Sequence, residues 1–143
     1  FMGETIDNVA VINAFSQAVM SGDAEAVQRL AHPDFVVQQA AGLPYGGTHR
    51  GLEAFFAMLG HMQQVWRELK ISPQGIIGDP AGDEFALHML VEGRGHDDAP
   101  MSCEVFERWI IRDGKVAEIS PFYRDTAALA AQFGPDVMGG VKA

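Results

Sequence analysis

The sequence predicts an α+β fold, with helices gathered on one face of a curved, mostly antiparallel sheet, and three observations carry that expectation. Long-range helical periodicity is confined to the first half of the chain, where apolar residues recur every three or four positions. Four runs rich in branched and aromatic residues then follow one another with only turns between them. Asp113-Gly114 joins the last two, and both residue types accept the positive φ of a two-residue hairpin turn.

In chain order, Val9, Ile12, Phe15 and Val19 lay one apolar stripe along a helix over residues 5–20. Gly22 suits a left-handed C-terminal position, and Asp23 caps a short second helix, "AEAVQRL", which ends at "HP" because Pro33 disfavours a helical His32. "DFVVQQ" reads as a short strand with Phe35, Val37 and Gln39 on one face. "AAGLPYGGTHRG" reads as a long glycine-rich loop, of the kind that covers a site. A third helix follows with Leu52, Phe55, Phe56, Leu59, Met62, Trp66 and Leu69 at helical spacing. The strands are expected at 69–78, 84–94, 101–112 and 115–124, parted by "GDPAGD", "GHDDAP" and "DG". "TAALAAQF" closes the pattern as a helical segment, and the tail "GPDVMGGVKA" is expected to fray.

At 143 residues, 48% apolar and 20% charged, the chain reads as one globular domain spanning residues 1–143. Nineteen acidic against ten basic side chains give a net charge of −9, a field that repels phosphate backbones and anionic lipid. That argues against nucleic-acid and membrane partners. No apolar stretch approaches a membrane span, and no secretory leader opens the sequence, so a soluble, cytoplasmic protein is expected. The lone Cys103 fits a reducing compartment. Phe1 ahead of Met2 reads as a remnant of expression. The five histidines show no ligand spacing and no phosphate-loop or nucleophile motif is present, so neither metal nor cofactor is expected.

The segments "SGDAEAVQRLAHPDFVVQQ", "THRGLEAFF" and "RWIIRDGKVAEISPFYRD" make nearly the whole chain resemble the nuclear transport factor 2-like superfamily, in its SnoaL-like and ketosteroid isomerase-like branch. The resemblance implies a cone-shaped α+β barrel: three helices from the N-terminal half wrap a strongly bent sheet around a mostly apolar cavity. It also implies cofactor-free acid/base chemistry on a small hydrophobic molecule, as in isomerases, cyclases and hydratases, and a homodimer formed through the outer sheet face. Three departures qualify the activity. The general-base position of the isomerases falls on Gln39, which accepts no proton at neutral pH, and their tyrosine donor position falls on Phe15. The aspartate of SnoaL-type cyclases and limonene epoxide hydrolases falls on Pro121. The third isomerase position, a protonated acid, falls on Glu107, where the acid is kept.

Alternation places Val105, Glu107, Trp109 and Ile111 on one face of the 101–112 strand, and Phe106, Arg108 and Ile110 on the other. If the first face lines a cavity, desolvation makes Glu107 a candidate acid or base; if it faces out, Glu107 is an ordinary surface charge. Tyr123 is a second candidate catalytic group, or a core tyrosine bonded to backbone. Gln39, Tyr45, Phe15, Phe56, Trp66 and Trp109 are candidate substrate contacts, Tyr45 from a loop at the mouth, with simple core packing as the competing role of the aromatics. Asp125 stands at the end of the last strand where a family acid is usual, and directly before the helical segment, where capping explains it. A non-catalytic ligand-binding or dimeric interaction module is the competing function.

Overall fold

A computed structural model describes residues 5–133 of the chain. The tail from residue 134, expected to fray, and Phe1 lie outside the described residues. The elements in order are α1 (Asn8–Ser21), α2 (Ala24–Leu30), β1 (Ala31–Gln39), β2 (Gly47–Arg50), α3 (Gly51–Val65), β3 (Arg67–Ile77), β4 (Glu84–Arg94), β5 (Pro100–Arg112), β6 (Lys115–Tyr123) and α4 (Thr126–Phe133). The six strands form one curved, unclosed sheet in the order β2-β1-β6-β5-β4-β3, antiparallel throughout except for β1 against β6. The helices and the concave inner face share the core, which joins Ile12 and Phe15 of α1, Phe55 and Met58 of α3, and Val37, Val105, Trp109 and Ile119 of the sheet. No helix among the described residues is long and apolar enough to cross a membrane.

Local chemistry sets the helix ends: Gly22 and Asp23 act as expected, while α1, expected from residue 5, begins at Asn8 because Asp7 caps it. Asp7 and Asp23 accept from Ala10 N and Ala26 N to cap α1 and α2, and Gly22 ends α1 in the left-handed region at φ 74°. Asp113 and Gly114 take φ 56° and 71° in the β5–β6 turn, as the hairpin requires.

Other boundaries also differ from the sequence reading, three of them with a clear physical reason. The strand expected over 34–39 starts at Ala31 and carries a register shift between Ala31 and Val36, which accommodates Pro33 within it. Helical spacing through Trp66 and Leu69 suggested a longer third helix; α3 ends at Val65, and Arg67 already pairs with Arg94. Trp66 is fully buried as the residue between helix and strand, so its burial satisfied the helical pattern without helical backbone. The expected 40–51 loop contains β2, whose Gly47 to Arg50 pair with Gln39 to Val36. Its residues are polar and it lies at a sheet edge, so no apolar alternation announced it.

The remaining loop turns inward rather than over the surface. Leu43, Pro44 and Tyr45 are buried, and Gly46 permits the tight return, because a Cβ there would stand 2.3 Å from the Ala40 carbonyl oxygen. His49 Nε2 lies 2.9 Å from the Tyr45 carbonyl oxygen across that return.

Candidate functional site

Helices α1 and α3 stand over the concave face without filling it, and a cavity of about 140 Å³ remains between them and strands β1, β3, β4, β5 and β6. For scale, an apolar hollow of roughly 150 Å³ takes up one benzene ring. Its depth is formed by Phe15, Val37, Phe55, Val105, Trp109 and Ile119, all buried, while the exposed Met20 and Pro73 mark the open end.

Four polar side chains interrupt this lining: Ser16, Gln39, Glu107 and Tyr123. Strand register explains why three of them meet. Trp109 pairs with Ile119 and Glu107 with Pro121, while Val37 of β1 pairs with Ile119 from the other side. Gln39, Pro121 and Glu107, each two residues further on, therefore form one rank across three strands, with Tyr123 the next inward position on β6. The face carrying Val105, Glu107 and Trp109 is the inner one.

Glu107 Oε1 accepts from Trp109 Nε1 at 3.0 Å. The accessible surface Glu107 keeps does not restore bulk hydration, because the groups around it are mainly apolar and no Lys, Arg or His lines the cavity among the described residues. Desolvation pushes its carboxyl above the ordinary range, and the indole hydrogen bond offsets this only in part.

Tyr123 belongs to a chain of side-chain hydrogen bonds. Trp66 Nε1 donates to Tyr45 Oη at 3.0 Å, Tyr45 donates to Tyr123 Oη at 3.2 Å, and Tyr123 donates to Gln39 Oε1 at 3.0 Å. The Gln39 amide nitrogen then reaches Met62 Sδ at 3.9 Å. Burial raises the pKa of both tyrosines, that of Tyr123 well above the usual value, so both hydroxyls keep their protons at neutral pH.

Phe15, Gln39, Glu107, Trp109 and Tyr123 thus come together on one cavity. Four other candidates lie outside its lining. Phe56 turns outward and is 39% exposed, because its neighbour Phe55 takes the inward position of α3 with Met58 and Met62. Tyr45, expected at the mouth, is buried behind Tyr123, and Trp66 is buried behind Tyr45; both reach the cavity only through the hydrogen-bond chain. Asp125 is exposed and accepts from Ala128 N at 2.9 Å, capping α4. Asp125→Ala is accordingly expected to lower stability by about 1 kcal/mol in thermal denaturation and to leave ligand affinity unchanged.

Met58, Met89 and Val91 line the cavity although the sequence reading did not single them out. Alternation along β4, where Phe85, Leu87, Met89 and Val91 are all buried, was the available signal for the last two. The Trp66–Tyr45–Tyr123–Gln39 chain had no such signal, since its members are spread over residues 39 to 123.

Comparison with known proteins agrees with this architecture. Residues 12–119 match the SnoaL-like domain family. No curated protein matches the sequence. Among solved structures, TerC co-crystallised with polyporic acid aligns at TM-score 0.76 and 22% identity, covering 88% of this chain and 97% of its own. An NTF2-like protein from Burkholderia xenovorans LB400 aligns at TM-score 0.78 and 23% identity, covering 92% and 98%. A protein of unknown function with a cystatin-like fold from Xanthomonas campestris aligns at TM-score 0.75 and 23% identity, covering 90% and 99%.

Proposed function

We propose, from the premise that this chain belongs to the SnoaL-like domain family, that it binds a small, largely apolar molecule bearing one oxygen function and moves a proton on it without a cofactor, as an isomerase, cyclase or hydratase does. The observation that carries the reading is Glu107: a carboxyl on the lining of an apolar cavity, held by one indole N–H and faced by no cation among the described residues. Such a group is a poised acid or base, because the lining that favours its protonated form also strengthens any hydrogen bond it makes to a ligand. In this reading Glu107 exchanges the proton, and the Gln39–Tyr123 pair orients the oxygen. Phe15 and Trp109 supply the apolar contact. TerC, similar in fold, was co-crystallised with polyporic acid, a precedent for small-molecule binding in this architecture.

Acetophenone, whose ring matches the cavity and whose acetyl group would extend toward the open end, carries exchangeable hydrogens beside a carbonyl. The test is proton NMR of acetophenone in heavy water with the protein. Methyl-hydrogen exchange faster than in buffer, and lost in Glu107→Gln, supports proton transfer; acetophenone bound with no acceleration removes the catalytic part and leaves a binding module.

A second reading, an interaction module, is favoured by the outer sheet face. Phe106 and Phe122 pair directly across β5 and β6, at 41% and 62% exposure, and His88 stacks on Phe106 with ring centroids 4.6 Å apart. We place the homodimer contact there, since adjacent exposed aromatics on a sheet mark an association surface. Phe122→Asp is expected to convert a dimer to a monomer in sedimentation equilibrium, and a wild-type protein that sediments as a monomer would remove this contact. A cytoplasmic setting belongs to the same proposal, consistent with Cys103 as a free, buried thiol.

A further inference from the structure

Glu107 meets the cavity with a single protein donor in reach, and strand register explains why. Its cross-strand neighbours are Leu87 of β4 and Pro121 of β6, neither of which carries a side-chain donor. Two positions further along the same face of β5 stands Trp109, flanked by Phe85 and Ile119, and its Nε1 donates to Glu107 Oε1 at 3.0 Å. Trp109 is buried, and its ring stands at 88° to that of Phe15 with centroids 5.7 Å apart, so packing from α1 fixes where the indole N–H points.

The two carboxyl oxygens are thereby made unequal. Indole nitrogen donates and never accepts, so it serves Oε1 whether Glu107 is neutral or ionised, and in the neutral acid the proton sits on Oε2. Oε2 makes no hydrogen bond to the protein among the described residues, where no buried side-chain oxygen is left without a partner; Oε2 is therefore the oxygen that stays open to the cavity. The N–H also distinguishes the two states. A hydrogen bond to a carboxylate is roughly twice as strong as one to a neutral acid, so the indole stabilises the charge left when the proton departs, against the desolvation that favours the neutral form. No cation lines the cavity to do this instead, among the described residues. Tyr123 of β6 is the other titratable group on the lining, and burial keeps its proton, which it gives to Gln39 Oε1. Helices α1 and α3 and strands β1, β3 and β4 contribute no titratable side chain to that lining.

We propose that Trp109 is a positioning residue for acid/base chemistry at Glu107: its indole N–H holds Oε1, presents Oε2 as the oxygen that takes up and returns the ligand's proton, and steadies the charge of the ionised state. The inference rests on the proton-transfer reading above. With acetophenone in heavy water, Oε2 of the carboxylate takes a methyl hydrogen as a proton, and the C–H electron pair passes into the ketone to give the enolate. The acid then exchanges its proton for a deuteron with solvent through the open end, and the deuteron returns to carbon.

Trp109→Phe keeps an aromatic ring against Phe15 and removes the N–H. A carbon-13 titration of the Glu107 carboxyl is expected to place its ionisation at higher pH in this variant than in wild type. Exchange of the acetophenone methyl hydrogens, which rises as Glu107 ionises, is expected to set in at correspondingly higher pH and to fall by up to about tenfold at neutral pH, the scale of one hydrogen bond to a charged group. A ring that acted by packing alone would lower the rate without moving either pH profile.

Wild type decides should Trp109→Phe not fold. The chain has two tryptophans, and the indole proton of Trp66, donated to Tyr45, is the internal control. The Trp109 indole proton, assigned by its Overhauser contact with Phe15, is expected to move downfield as Glu107 ionises, at the same midpoint as the carboxyl signal, and to lose that movement in Glu107→Gln. A Trp109 signal that stays flat while Glu107 ionises, or a Glu107 titration and exchange profile unmoved in folded Trp109→Phe, overturns the inference and leaves Glu107 as the acid of the cavity. Glu107 ionising with the surface carboxylates in wild type, or acetophenone bound without exchange, overturns the proton-transfer reading and the inference together.

Discussion

Glu107→Gln is expected to flatten the dependence of stability on pH and to cut proton exchange on a bound ketone by about 10²–10⁴-fold. The first effect follows from linkage. Because burial raises the native carboxyl above the ordinary range, there is a window in which the folded protein holds a proton that the unfolded chain has already released. Stability falls as pH rises through that window, is unaffected by this group below the ordinary glutamate range, and levels off above the raised native value. Glutamine has the same shape, keeps an oxygen for Trp109 Nε1 and does not titrate, so the slope contributed by Glu107 vanishes. Denaturant titrations of both proteins from pH 4 to pH 9 measure the difference. A variant whose stability runs parallel to wild type throughout would mean that Glu107 ionises as a surface acid does.

Phe15→Ala is expected to cost about 3–5 kcal/mol, the largest loss of stability from any single truncation around the cavity. Phe15 is buried and stands at the centre of the aromatic cluster, with ring centroids 5.7 Å from Phe35, 6.1 Å from Phe55 and 5.7 Å from Trp109, the last edge to face. It holds α1 to α3 and to the sheet at once, so truncation removes contacts to α3, β1 and β5 and widens the cavity. The midpoint of thermal unfolding should drop by roughly 10 °C or more. Phe15→Leu, which refills most of the volume, should recover much of the loss. A loss below about 1 kcal/mol would show that α1 is not anchored through this ring.

Much of the fold was legible because its determinants are local. Gly22 and Asp23 mark the end of the first helix and the start of the second by capping chemistry, and Asp113-Gly114 announces its hairpin by the backbone angles those residues tolerate. Elements defined by their neighbours were not legible. β2 exists because its backbone pairs with β1, which no property of Thr48, His49 or Arg50 encodes. The end of α3 follows from the register of β3 on β4, while the apolar period runs on through Trp66 to Leu69.

The site divides along the same line. Alternation brought Glu107 and Trp109 onto one face of β5, and Ile119, Pro121 and Tyr123 onto one face of β6, because period two is a property of the strand itself. Which face is inside depends on where α1 and α3 pack, and period two is silent on that. Tyr45 shows the limit most clearly. A glycine-rich loop reads as a surface lid, yet Leu43 and Pro44 draw it inward and leave the Tyr45 hydroxyl between Trp66 and Tyr123.

The most direct measurement is a carbon-13 NMR titration of side-chain carboxyl resonances, with the Glu107 signal assigned by its absence from Glu107→Gln. A resonance that stays in the protonated position while the other glutamates ionise, and titrates only at clearly higher pH, is the expected result for a carboxyl kept dry beside Trp109. A Glu107 signal that ionises together with the surface carboxylates would contradict a desolvated acid in the cavity, and with it the proton-transfer role built on that acid.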